Sequence, residues 1–404
     1  MTMRISLKYG FLGLGMGGTS IAHACAAVRM KDHYPYKAIL VNTNEIDLRK
    51  LPNMPNMTKK MLRGYEKGVA RDIEKGQEAF REHKEDIADL VASEFFDREF
   101  VFICCGLGGG TGTGAVIEAA RMLHQNGFAG RFGLILTLPR LSEGRTVLDN
   151  ALQRLQIIQK AMRGLGGIIV VDNEKLYREY LQSHPDKAIG DFMRLCNQNV
   201  ARLLHEFNTV TASFNPLGTY HFDSSELMKV FQRSGCITFG KCVLPEAAVN
   251  PNMPDSYMLP IRQSIGVLSD GYDLAKATAA AVCMTASPKG AKRMFTMAML
   301  DEVTKLVDTP GMDESPVAIY ADDHASHLAV YTLFAGLPLP KRVVELAETA
   351  ATGQRADTED EVALALAGYA AKKQEQKADL DTLLDEPVEN KKPEKNNDPF
   401  AFLN

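Results

Sequence analysis

Positive charge is not in excess in this chain: 46 Lys and Arg stand against 50 Asp and Glu in 404 residues, a formal net charge of -4. Without a global basic field, the whole protein is not built to coat nucleic-acid phosphates. Cysteine is sparse, with seven residues, no CxxC spacing and an adjacent Cys104-Cys105 pair. That pattern excludes a disulfide framework and a zinc site of the usual spacing, and free thiols fit a reducing cytosol. The nine histidines show no HxxxH spacing, so no structural metal is expected. The opening MTMRISLKYG has no apolar signal core, and no run approaches the length of a membrane-spanning helix. The expectation is a cytoplasmic protein with no membrane partner. A P-loop is excluded as well, because neither GxxxxGKS nor GxxxxGKT occurs.

What is present is an ordinary globular composition, 45% hydrophobic and 24% charged, over a length that suits two or three domains. Residues 5–12, ISLKYGFL, read as a strand leading into the glycine loop GLGMGG. Further strands are expected at YKAILVNTN (36–44), EFVFICC (99–105), RFGLILTLP (131–139) and GGIIVVDN (166–173). Most are continuous apolar runs, as central parallel strands covered on both faces require, and helical patterns lie between them. Alternation of this kind predicts an α/β fold with a doubly wound parallel sheet. Residues 191–210 place apolar groups at 192, 195, 196, 200, 203, 204 and 207, which predicts a long central helix. FNPLG (214–218) breaks it, and the mixed stretch 219–335, with VAIYADD and HLAVYTLF, suits a smaller α+β domain. PLPKRVVELAETAATG reads as a helix, after which the charged end cannot bury enough apolar surface to order itself. The expected division is a nucleotide domain over 1–190, the central helix over 191–213 and a C-terminal domain over 214–337. Helices over 338–370 and a largely disordered tail over 371–404 complete it.

The stretch FICCGLGGGTGTGAVIEAARML (102–123) is strand, glycine turn and helix, with Val116, Ala119, Ala120 and Leu123 on one helical face. Glycine lets backbone N–H groups face a common point, and the helix start adds partial positive charge. Gly108, Gly109, Gly110, Thr111, Gly112, Thr113 and Gly114 therefore read as a cradle for phosphate. A plain tight turn with close helix packing would need one or two glycines, not five with two threonines among them. The first loop matches GxGxxG at Gly13, Gly15 and Gly18. A dinucleotide site would also need an acid ending the second strand, where Asn42, Thr43 and Asn44 stand, with Glu45 just beyond. Two glycine loops suggest one triphosphate held from two sides, and an NAD-dependent oxidoreductase leaves GGGTGTG without a purpose.

GGGTGTG is the signature loop of the tubulin/FtsZ superfamily of GTPases, and the chain resembles that superfamily in order, most closely its plasmid- and phage-borne TubZ branch. FLGLGMGG, YPYKAILVNTN, CGLGGGTGTG, LTLPR, DNEKLY, HFDSSE and AGLPLPKRV carry the resemblance, over about residues 5 to 345. It implies GTP and GDP as ligands, with Mg2+ offsetting the phosphate charge. It implies that Gly15, Met16, Gly17 and Gly18 form the first phosphate loop and that Asn44 ends the second. Gly68 to Asp72 match the loop that senses the terminal phosphate, with Arg71 a departure from FtsZ. Glu143 falls at the ribose acid, while the arginine that FtsZ carries four residues later is Val147 here. Asn173 and Asn197 match the two residues that read guanine, whose carbonyl and amino groups an amide complements. Phe192 or Met193 stands where the base is covered. By themselves, Asn173 suits an ordinary turn and Asn197 a satisfied core amide.

His221-Phe222-Asp223-Ser224-Ser225-Glu226 reads, by itself, as the cap of a new helix. The resemblance implies more: Asp223 and Glu226 would enter the neighbouring subunit's pocket and act on the attacking water. No monomer would then hold a complete site, and hydrolysis would require a head-to-tail filament. His221 replaces an asparagine of FtsZ. In the tail, Phe400, Phe402 and Leu403 suit a short recognition motif. The resemblance implies that this tail docks on a TubR-like helix-turn-helix adaptor on centromeric DNA, with little direct nucleic-acid binding, so that filaments segregate plasmid or phage DNA. An FtsZ-type cell-division GTPase shares the chemistry with another cargo.

Overall fold

A computed structural model describes residues 3–186, 188–308, 312–313 and 316–358. The strands are β1 (Tyr9–Leu14), β2 (Lys37–Asn42), β3 (Met57–Met61), β4 (Phe100–Gly106), β5 (Phe132–Leu138), β6 (Gly167–Asp172), β7 (Asn215–Pro216), β8 (Gly235–Pro245), β9 (Ala279–Ala286), β10 (Val317–Ala321) and β11 (His327–Leu337). They form one sheet in the order β3-β2-β1-β4-β5-β6-β8-β11-β9-β10-β7. The first six are mutually parallel. Residues Met1–Val343 make one compact unit, and Val344–Asn404 belong to a second.

The order β3-β2-β1-β4-β5-β6 is the doubly wound arrangement, and it reverses between β1 and β4. Loops leaving the carboxyl ends of strands at such a reversal diverge and leave a crevice. Both glycine loops arise there: one joins β1 to the helix Gly15–Ala26, the other joins β4 to the helix Thr111–Leu123. β1, β5 and β6 are buried at every position, which is why their sequences read as unbroken apolar runs.

The expected strand at 5–12 starts later, at Tyr9. The reason lies in the central helix, Ile189–Ser213. Its far end takes the preceding backbone: Arg4 N–H donates to Ser213 Oγ (2.8 Å) and Leu7 N–H to Asn208 Oδ1 (2.8 Å). Asn208 is fully buried and returns its amide to Leu7 O (2.7 Å) and Tyr36 Oη (3.1 Å). The helix is roughly 37 Å long at about 1.5 Å per residue. Phe207 on its buried stripe packs edge-on against Phe239 of β8 and Tyr331 of β11, with centroids 5.2 and 5.5 Å apart.

The C-terminal half continues the same sheet. Gly167, Ile168 and Ile169 of β6 pair in parallel with Gly235, Cys236 and Ile237 of β8. β10 and β11 fall on VAIYADD and HLAVYTLF, and Arg342–Thr358 is the helix expected after them. The expected tail at 371–404 lies outside the described residues. All seven cysteines are free and buried.

At Gly18 the first helix lies directly on β4: a Cβ there would stand 2.0 Å from Cys104 O. Gly109 has nothing within 4 Å of the same position. Gly18→Ala is therefore expected to cost about 2 kcal/mol or more by overpacking, whereas Gly109→Ala should stay within about 0.5 kcal/mol. Urea denaturation of the two variants checks the contrast; equal stabilities would refute it.

Candidate functional site

A cleft of about 780 Å³ opens at the strand-order reversal and extends past the ends of β5 and β6. Gly15, Met16 and Gly17 line it from the first loop, Asn42 to Asn44 from the end of β2, and Gly108 to Thr111 with Gly112 from the signature loop. Of the expected loop Gly68 to Asp72, the first four residues line it and Asp72 instead caps the next helix; Glu143, Asn173 and Asn197 also line the cleft. Gly18, Thr113 and Gly114 do not line it, and each has another task.

Gly108 adopts φ +101°, and a Cβ there would lie 2.4 Å from Val147 Cγ1, so conformation and space both demand glycine. Thr113 is fully buried; its hydroxyl accepts from Gly108 N–H (2.9 Å) and donates to Gly106 O (3.3 Å), stapling the loop across its base. At Gly114 a Cβ would meet Ile73 O at 2.3 Å, which allows the helix Ile73–Glu82 to lie against Thr111–Leu123. Close packing thus explains more of the signature loop than a sequence reading assigns to it. Gly109 remains exposed over the cleft. Beneath the loop, burial pushes the Cys105 thiol up to about 12, so it supplies no thiolate at neutral pH.

The hydroxyls of Thr43 and Thr111 meet at 2.6 Å and tie the end of β2 to the signature loop. Asn44 caps the helix Glu45–Lys50, its Oδ1 accepting from Ile46 N–H (2.9 Å) and Asp47 N–H (3.3 Å). Asn44 also lines the cleft. Asn42 Oδ1 accepts from Thr43 N–H (2.8 Å), while its Nδ2 is buried without a hydrogen-bond partner. Sequence reasoning treated Asn42 only as a missing acid; a buried donor lining the cleft is a finding of the structure.

Ala70 and Arg71 hold left-handed backbone, φ +48° and +67°, in succession. Each such residue costs about 1–2 kcal/mol, and strain of this kind collects at ligand sites. Asn150 fixes the segment by donating to Arg71 O (2.8 Å) and Gly108 O (3.2 Å). Nothing in the sequence marks Asn150, a polar residue on an amphipathic helix, as the link between two loops.

At the other end of the cleft, Glu143 is exposed and its Oε1 accepts from Arg140 N–H (2.8 Å). Asn173 opens the helix Asn173–Ser183, whose cap is Asp172, accepting from Glu174 N–H (3.0 Å). Burial raises the Asp172 carboxyl above its usual range, and Arg342, with Nε 3.4 Å away, opposes that shift. Phe192 turns its buried ring toward Tyr177 and Tyr180 (centroids 5.4 Å each), whereas Met193 is 41% exposed at the mouth. Met193 is therefore the freer of the two to cover a ligand.

Asp223 and Glu226 form a reciprocal cap on the helix Ser224–Gln232, as the bare sequence suggests. Asp223 Oδ1 accepts from Glu226 N–H (2.9 Å) and Ser225 Oγ–H (2.6 Å), and Glu226 Oε2 accepts from Asp223 N–H (2.8 Å). The Ser225 hydroxyl and the Glu226 N–H hold the Asp223 carboxyl below its ordinary range. Tyr320 on β10 pins the segment, its hydroxyl accepting from Phe222 N–H (3.0 Å) and donating to Phe222 O (3.2 Å). Neither acid lines the cleft. Among the described residues no cluster of three His, Cys, Asp or Glu could hold a metal ion.

Residues 9–180 match the Tubulin/FtsZ family GTPase domain, and residues 220–341 match the C-terminal domain of the tubulin-like protein TubZ. The chain is 40% identical over 358 residues to the tubulin-like protein TubZ of Bacillus cereus, a match spanning 85% of this chain and 82% of that one. Among solved structures, the crystal structure of a GTPγS-form protofilament of Bacillus thuringiensis serovar israelensis TubZ has a TM-score of 0.74 at 20% identity, covering 89% of this chain and 94% of that one. The helical model of a TubZ-Bt two-stranded filament gives 0.75 at 21%, with 93% and 94% covered. The low-identity structures share the fold; the 40% relative shares the sequence across most of both chains. On that ground the chain belongs to the TubZ branch of the tubulin/FtsZ family of GTPases.

Proposed function

We propose that this chain forms head-to-tail filaments that move plasmid or phage DNA, and that it hydrolyses GTP only where consecutive subunits meet. The observation that carries the reading is the separation of grip and acids: the cleft gathers the glycine loops, while Asp223 and Glu226 sit elsewhere on the same subunit, tied to β10. In the sheet, β10 is the fourth strand beyond β6. A second copy brings its acids to the first copy's cleft. Exposed Met16, Ile189 and Met193 on the cleft lining favour a covering partner.

Within one cleft, backbone N–H groups of the two glycine loops hold the phosphates, with Asn44 beside them. Glu143 takes the ribose hydroxyls, and Asn173 and Asn197 read guanine. Bound with the nucleotide, Mg2+ neutralises phosphate charge, held mainly by phosphate oxygens and water. Gly18, Thr113 and Gly114 act by shaping the loops. The two acids divide the work. Each spends one oxygen on the cap, but Asp223 Oδ1 takes two donors whereas Glu226 Oε2 takes one, and the longer Glu226 side chain keeps Oε1 to orient water. The DNA cargo and a TubR-like adaptor rest on the likeness to TubZ and on the end of the chain, including Phe400, Phe402 and Leu403, outside the described residues. No described helix is long and apolar enough to cross a membrane.

GTP turnover per subunit should rise steeply with protein concentration, measured as phosphate release; turnover strictly proportional to protein from the lowest concentrations would refute shared sites. Glu226→Ala should assemble with GTP yet release no phosphate, leaving filaments that persist by light scattering; disassembly at the wild-type rate would exclude Glu226. Asp223→Ala should lower stability by about 1 kcal/mol through the lost cap. The folded carboxyl is depressed below its unfolded value, so its contribution is full above the ordinary carboxylate range and is lost as pH falls through the folded value. Urea melts of wild type and Asp223→Ala should accordingly converge in acid.

A further inference from the structure

Arg140 follows β5 and Pro139 at the nucleoside end of the cleft, and its backbone is fixed from both sides. Its own N–H donates to Glu143 Oε1 (2.8 Å), and the next N–H, of Leu141, donates to Glu174 Oε2 (3.1 Å). The guanidinium carbon lies 3.5 Å from the centroid of the Tyr177 ring. At that distance the contact is a close cation–π interaction, which restrains the fork as well as its charge. Tyr177 is four residues after Asn173 in one helix, so the two share a face.

The donors of this side chain are unused among the described residues. Arg140 is half-buried and lines the cleft. Its Nε is buried without a hydrogen-bond partner, and no ion pair or side-chain hydrogen bond engages the guanidinium among the described residues. Nearby arginines differ: Arg178 pairs with Glu174 and Arg145 with Asp149. A partly desolvated guanidinium with idle donors is costly unless an acceptor arrives. The phosphate grip belongs to loops after β1 and β4, whereas Arg140 adjoins Glu143 and Asn173 after β5 and β6. Val147, four residues after Glu143, is buried against Gly108 and brings no donor to this end of the cleft.

We propose that Arg140 is a further ligand-contacting residue of the cleft, whose terminal Nη groups, restrained by Tyr177, donate to acceptor atoms of the guanosine nucleoside. The acceptors are those a planar fork can engage, either a ribose hydroxyl oxygen or the N7/O6 edge of guanine. The inference rests on the cleft being the nucleotide site. It adds a positive donor on the side opposite the phosphates and leaves Asn173 and Asn197 the remaining edge of the base.

Calorimetric titration of the full chain with GDP, 2′-deoxy-GDP and 7-deaza-GDP tests it, because GDP avoids turnover. Wild type should lose affinity for at least one analogue, 2′-deoxy if the ribose is the target and 7-deaza if the base is. Arg140→Met should bind GDP about tenfold more weakly, the scale of one charge-assisted hydrogen bond, and should penalise that analogue less than wild type does, any remaining 2′-deoxy penalty belonging to Glu143. Arg140→Lys keeps the charge without the fork and should remain weakened; Tyr177→Leu should reduce the same discrimination. The analogue ratio is read within each variant, so a change in stability does not mask it. The proposal is overturned if Arg140→Met binds GDP like wild type, if it discriminates both analogues as wild type does, if wild type is indifferent to both, or if Arg140→Lys restores full affinity. Failure of wild type to bind GDP at all would instead overturn the nucleotide reading of the cleft.

Discussion

The architecture turns on a backbone-to-backbone contact at the strand-order reversal. Gly18 brings the first helix so close to β4 that a single added carbon would sit 2.0 Å from Cys104 O. With that helix down on the sheet, the first loop meets the signature loop: a Cβ on Gly15 would stand 2.8 Å from Gly112 N, and one on Gly112 would stand 2.6 Å from Leu14 O. Two loops that touch through bare backbone leave their N–H groups on one shared rim, as a phosphate chain requires. A side chain at these points would hold the loops apart and spread those donors.

The central helix carries that order to the rest of the molecule. Its start supplies Asn197 to the cleft, and its end is fixed by the buried amide of Asn208, bonded to Leu7 and Tyr36. Tyr36 in turn meets His205 Nδ1 at 3.0 Å. A fully satisfied buried network allows one position of the helix and penalises others. The aromatic contacts of Phe207 then lock the same helix to β8 and β11. The Asn197 wall of the cleft and the C-terminal packing are therefore set by one rigid element.

Apolar runs and glycine clusters made much of this legible in advance. β2, β4, β5 and β6 coincide with expected runs to within a residue or two, and the long helix with its stripe. β3 escaped notice because an edge strand needs no apolar run, and Met57–Met61 reads MTKKM. β9, AAAVCMTA, is buried throughout, yet its alanines resemble a helix as much as a strand. Within the site, the glycine pattern points to loops that line the cleft but not to which glycines serve packing. Gly114 and Gly18 differ from Gly109 only in what lies across from them, and that neighbour is remote in sequence. Asn42, Asn150 and Arg140 share that limit, since an idle or bridging donor is defined by its surroundings. The cap formed by Asp223 and Glu226 was readable from spacing alone, whereas a task at a neighbour's cleft came from family resemblance.

Both margins of the eleven-stranded sheet end in short strands, β3 carrying two lysines and β7 only two residues long. On β3, Lys59 Nζ donates to Leu51 O (2.5 Å) and Lys60 pairs with Asp86 (2.6 Å). On β10, the short β7 segment and the bonds from Leu217 N–H to Ile319 O (2.9 Å) and from Ile319 N–H to Tyr220 O (3.1 Å) occupy the free side. Short or lysine-bearing edges are poor templates for strand addition, the usual route by which exposed β-structure recruits copies of itself without control. Association of copies through the sheet margins is thereby disfavoured, which leaves loop and helix surfaces for contact.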